Sequence, residues 1–215
     1  NYSLLQVMSR FGLSLGFGDK TVKEVCEMNN VDCQTFLVVV NFMAEGFSRM
    51  DGSADDISIP ALVDYLRQAH IYFLDYCLPA IRRKLIEAID CSQDDVSFLI
   101  LKFFDGYMRE VRKHMEYEEK TVFKYVDTLI HGNAPKNYQI STFSKHHDQV
   151  GERLTELKNI IIKYCPAKAN TNVLNAALFD IYACEEGLES HCKVEDYLFV
   201  PAILKLERRM RENEK

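Results

Sequence analysis

Residues 112–123 read RKHMEYEEKTVF and place His114 and Glu118 four positions apart in a run of helical character. Four residues make about one helical turn, so the two side chains leave the same face and can hold one object between them. A charged surface helix produces such a pair by chance, so its meaning rests on partners elsewhere in the chain. Residues 189–201, ESHCKVEDYLFVP, supply one: His191 and Glu195 repeat the spacing, again with an acid after the glutamate and an apolar run beyond. Two further histidines, His70 in RQAHIYF and His147 in KHHDQVGE, complete a regular set. His70 and His114 stand 44 residues apart, as do His147 and His191 (114 − 70 and 191 − 147). A duplicated two-helix unit produces that offset.

The rest of the chain tells which frame carries these residues. Glycine and proline are sparse after residue 60, and apolar residues recur at helical spacing, which predicts an all-α protein. Four long segments are expected. The first runs from Pro60, a good first-turn residue, to Asp90, with Pro79 as a kink. The second opens near Ser92 and stops at the breaker cluster HGNAPKN, residues 131–137. The third spans Tyr138 to Tyr164 and ends at CPAKAN, and the fourth runs from Asn172 into the charged tail RRMRENEK. Long amphipathic helices joined by short loops describe an antiparallel up-down four-helix bundle. Residues 1–50 differ: two or three short helical pieces flank the glycine-containing FGLSLGFGDKT, and MDGSADD reads as a linker. The expected division is a small N-terminal helical domain over 1–50, a linker over 51–59 and the bundle over 60–213.

Composition narrows the class. The chain has 215 residues, 47% apolar and 27% charged, as in ordinary globular proteins. Its net charge of −6, with cationic residues scattered among acidic ones, offers no basic surface for nucleic acid. Seven cysteines form no CxxC pair, and an odd number cannot all pair within the chain. Buried thiols in a reducing cytoplasm are therefore expected. No run of 18 apolar residues occurs, so no membrane span is expected.

Four inward imidazoles and two carboxylates at one level of a bundle would be costly without a metal, because the carboxylates need neutralising and each ring nitrogen a partner. Two cations bridged by Glu118 and Glu195 use every group, and dinuclear iron is the common solution for this ligand type in bundles. Zinc fits less well, since structural zinc sites favour thiolates. The candidate ligands are His70, His114, Glu118, His147, His191 and Glu195. His131 falls in a solvated loop, His146 points about 100° away from His147, and Glu110 precedes His114 by one turn as a neighbouring acid.

Residues 60–207 resemble the hemerythrin-like HHE cation-binding domain. The likeness is carried by His70 ahead of Leu78–Pro79, HxxxEE from His114 to Glu119, HDxxGE from His147 to Glu152, and HxxxE from His191 leading into LFVP. The whole chain is similar to the di-iron proteins of the repair of iron centres (RIC, ScdA-type) family, through MSRFGLSLGFGDKTVKEVC and VDCQTFL at its N-terminal end. The family's paired cysteines are replaced here by Gly16 and Phe17. The resemblance implies two irons per chain, with carboxylate and oxo or hydroxo bridges, held by the same four histidines and two glutamates. It implies a cytoplasmic protein of oxidative or nitrosative stress that binds or reduces nitric oxide, dioxygen or peroxide, or that supplies iron to damaged iron–sulfur proteins. A homodimer is compatible with it. The alternative is a sensor or carrier that takes up dioxygen or nitric oxide without turnover.

Overall fold

The computed structural model describes residues 3–45, 57–89, 95–133, 135, 138–145, 150–165 and 169–213, and every regular element among them is helical. Three helices form the N-terminal part: α1 (Ser3–Arg10), α2 (Val22–Met28) and α3 (Cys33–Glu45). The long segments follow as α4 (Ile59–Ile71), α5 (Leu78–Ala88), α6 (Asp95–Tyr117), α7 (Phe123–Ile130), α8 (Val150–Tyr164), α9 (Thr171–Val194) and α10 (Val200–Asn213). A short 3-10 turn covers Ile140–Lys145. The predicted start signal at Ser92 lies outside the described residues.

Three of the long segments pass through a π-helical turn: Tyr72–Cys77 between α4 and α5, Glu118–Val122 between α6 and α7, and Glu195–Phe199 between α9 and α10. The kink expected at Pro79 takes this form. Proline lacks an N–H, and its ring crowds the carbonyl four residues back. The chain answers with a wider turn, in which the Leu78 N–H donates to the Phe73 carbonyl five residues back. Pro201 follows the third π turn in the same way, where the Val200 N–H donates to the Glu195 carbonyl.

The chain divides into two units. One contains residues 1–69, 122–144 and 191–215, the other residues 70–121 and 145–190. In the first, aromatic rings hold the N-terminal helices to α4. Phe11 lies 5.4 Å from Phe36 and 4.9 Å from Tyr65 between ring centroids. Thr35, wholly buried, accepts the Ser58 N–H at 2.8 Å. Phe123 packs edge-on against Phe199 at 5.8 Å. Buried Glu207 of α10 accepts the Tyr125 hydroxyl at 2.6 Å and the Ile140 N–H at 3.0 Å, clasping α7 and the 3-10 turn to α10. The α7 helix stops where the breaker cluster predicts. Gly132 adopts φ +83°, and the Asn133 N–H reaches back to the Thr128 carbonyl at 3.1 Å.

In the second unit, four helices close a ring through one ion pair at each junction. Arg82 of α5 meets Asp105 of α6 at 2.6 Å, Glu110 of α6 meets Arg153 of α8, Lys158 of α8 meets Glu185 of α9, and Asp180 of α9 returns to Lys84 of α5 at 2.5 Å. Glu110 is thereby a helix-to-helix partner. The Asn170 N–H donates to the Ala88 carbonyl at 2.9 Å, so α9 starts against the end of α5 and the two run antiparallel. A ring in chain order with antiparallel first and last members is the connectivity of an up-and-down bundle. Inside it lie Ile81, Leu85, Ile100, Phe104, Leu157 and Ile181. No described helix is long and apolar enough to cross a membrane.

Candidate metal centre

Three of the predicted ligands sit at or beside a π turn. His70 lies two residues before the first, Glu118 opens the second, and Glu195 opens the third. A π turn inserts an extra residue per turn and re-aims the side chains around it, which is why such turns gather at functional sites.

The carboxylate of Glu118 faces two imidazoles, one oxygen to each. Its Oε2 lies 2.9 Å from His70 Nε2, and its Oε1 lies 2.8 Å from His114 Nε2. His191 Nε2 lies 3.3 Å from Glu195 Oε1, one turn along the same segment. His70, Glu118, His191 and Glu195 each present one ligand atom, and these four atoms all lie within 4.8 Å of one another. Glu118 and Glu195 are 0% exposed, His70 3% and His191 1%. His114 is slightly more open, its side chain 16% exposed. His147 lies outside the described residues.

The donor set is nitrogen and oxygen with no thiolate, which suits iron or manganese better than structural zinc. Two carboxylates shut away from water also suit cations, because a buried carboxylate gains from a charge it can reach directly. The residues present therefore fit a metal.

Residues 61–203 match the family model described as the hemerythrin HHE cation-binding domain. The chain belongs to that family. No curated protein matches it. The match begins within α4 of this hemerythrin-type chain and ends within α10, so it takes in all five predicted ligands that are described.

One residue of the hemerythrin-type site escaped the sequence reading. Glu119 Oε1 lies 2.9 Å from His70 Nδ1. A carboxylate on the far nitrogen fixes both the tautomer and the ring direction, leaving Nε2 to face the centre. The signal was present as the second glutamate of HMEYEE, but one turn of helix places it away from His114 and gives no hint of His70. His131 is exposed, as expected, and its Nδ1 lies 2.8 Å from the Asp127 carbonyl.

Proposed function

We propose that this protein is a non-haem di-iron protein that binds nitric oxide, dioxygen or peroxide, in oxidative or nitrosative stress. The observation that carries the reading is the buried group of His70, Glu118, His191 and Glu195, with one ligand atom of each inside 4.8 Å. His114 joins it through the second oxygen of Glu118. His147 is proposed as the sixth ligand from its place in the repeated pattern. When bound, two irons supply redox electrons and open positions at which a small diatomic or peroxide is taken up. The chain contributes the rest. Glu118 aims one oxygen at each of two imidazoles, Glu119 holds the His70 ring, and the burial of Glu118, His191 and Glu195 keeps bulk water from them.

The likeness to the repair of iron centres family supports iron supply to damaged iron–sulfur proteins in the cytoplasm as the biological setting. A second reading, uptake without turnover, is favoured by Gly16 and Phe17 standing where that family has its cysteine pair. One experiment tests both. Metal analysis of the freshly purified full chain is expected to find about two irons, as a dinuclear carboxylate site requires. Stoichiometric zinc and no iron after reconstitution overturns the proposal. Anaerobic nitric oxide added to the reduced protein then separates the readings: nitrous oxide release means reduction, and a stable stoichiometric adduct means uptake alone.

A further inference from the structure

We propose that Cys26 and Cys33 form a reversible disulfide, so that the N-terminal helices constitute a two-electron thiol–disulfide couple acting on low-molecular-weight disulfides. The geometry begins with the end of α2. Asn30 takes the left-handed conformation at φ 54°, the Val31 N–H returns to the Cys26 carbonyl at 2.9 Å, and the Asn30 N–H returns to the Glu27 carbonyl at 3.3 Å. This paired closure reverses the chain within two residues of the helix end. The next helix starts at once: Asp32 Oδ1 accepts the Thr35 N–H at 2.8 Å, which makes Cys33 the first residue of α3. With no slack between the caps, Cys33 opens α3 two residues after Val31, whose N–H is bonded to the Cys26 carbonyl, and the Cys33 thiol is a neighbour of the Cys26 thiol.

The two sulfurs are unequally placed. Cys26 is 0% exposed, whereas Cys33 is half-buried and open to a small molecule. Cys33 is therefore the attacking thiol and Cys26 the resolving one. The Cys33 thiolate attacks one sulfur of the disulfide, forming a mixed disulfide and releasing one thiolate, which is protonated. Cys26, after giving its proton to solvent, attacks the Cys33 sulfur and expels the second thiolate, which is protonated in turn. The chain loses two hydrogens and two electrons, and the small disulfide becomes two thiols. Burial and the neighbouring Cys33 push the Cys26 thiol up to about 11. The resolving step accordingly quickens about tenfold per pH unit between 7 and 9, following the thiolate fraction.

A second pair serves as an internal comparison. The Cys184 thiol hydrogen-bonds to Cys77, and that contact together with burial pushes Cys184 well above the usual thiol range. Both residues are buried, so a small disulfide reaches neither. They stay reduced while Cys26 and Cys33 oxidise.

The test is peptide mapping of the reduced full-length chain after incubation in graded mixtures of glutathione and glutathione disulfide, with acid quenching and alkylation. The expected product is one cross-link, Cys26 to Cys33, two hydrogens lighter and reversed by excess glutathione. In Cys26→Ala, Cys33 is expected to remain as the glutathione adduct, and in Cys33→Ser neither product forms. The proposal is overturned if the wild-type chain accumulates the Cys33 adduct without cross-linking, if both residues stay reduced in the most oxidising mixture, or if Cys77 and Cys184 oxidise first. The wild-type map decides the matter even where a variant fails to fold.

Discussion

The two copies of the histidine–glutamate motif make an instructive pair. In both, an α-helix carries the histidine, a π turn begins at the glutamate four residues on, and an α-helix resumes after it. Proline follows the turn at Pro201, but the turn at Glu118–Val122 leads into Phe123 and Lys124, neither of which forces a wide turn. Proline therefore accompanies the π turn without being necessary for it. What the copies share is a glutamate driven wholly into the interior, and the extra residue in the turn is the means of aiming it. They differ in support. The first is held from outside by Glu119 on His70, whereas the second is buried more deeply and leads into α10, whose Glu207 clasps α7 and the 3-10 turn.

The largest expected effect comes from breaking each motif at its histidine. His191→Ala and His114→Ala should both reduce iron content sharply, since each strips a ligand and leaves buried carboxylates short of counter-charge, at a cost of about 3–5 kcal/mol. The more buried His191 should cost more in melting temperature, because its removal also opens a core cavity. Elemental analysis with calorimetry reads both; full iron and unchanged melting in either variant would refute its ligand role.

Next comes the clasp that only the second copy possesses. Glu207→Ala leaves the buried Tyr125 hydroxyl and Ile140 N–H without their acceptor, costing about 2–4 kcal/mol in denaturant unfolding. Burial and the Glu207 bond raise the Tyr125 pKa, so its protonated form is favoured when folded. Stability from this group is complete below the ordinary tyrosine pKa near 10 and drains away as pH rises beyond it. Tyr125→Phe should flatten that alkaline decline.

The support peculiar to the first copy gives a smaller effect. Glu119→Gln should weaken iron binding by about 10- to 100-fold in chelator competition while changing global stability little, because the carboxylate is partly exposed. Equal affinity in the variant would show that His70 needs no orienting partner. Least of all is Asp105→Asn at the bundle ring, worth about 0.5–1 kcal/mol since both partners are a third or more exposed. The Arg82 guanidinium bonded to Asp105 holds its carboxyl below the usual range. The contribution is fully present above the ordinary carboxylate pKa near 4 and is lost as pH falls through the lower folded value, so wild type and variant should converge in acid unfolding.

What the sequence determined by itself is local or periodic. Apolar spacing set the long helices, HGNAPKN ended α7 through Gly132, and the four-residue step from His114 to Glu118 and from His191 to Glu195 put each pair on one face, because a helix repeats every 3.6 residues wherever it lies. The doubling of that step, and the 44-residue offsets, singled out the four residues His70, Glu118, His191 and Glu195 that the structure brings together. The remaining facts concern residues far apart in the chain, and those only packing decides. Glu119 meets His70 across 49 positions, Tyr125 meets Glu207 across 82, and Lys84 meets Asp180 across 96. Cys33 meets Cys26 because an asparagine at φ 54° reverses the chain, a choice that any of several turns could have made from the same residues. The π turns belong with these tertiary decisions. Nothing in the hydrophobic period marks the extra residue at Glu118–Val122 or Glu195–Phe199, where each turn opens on a glutamate that is wholly buried.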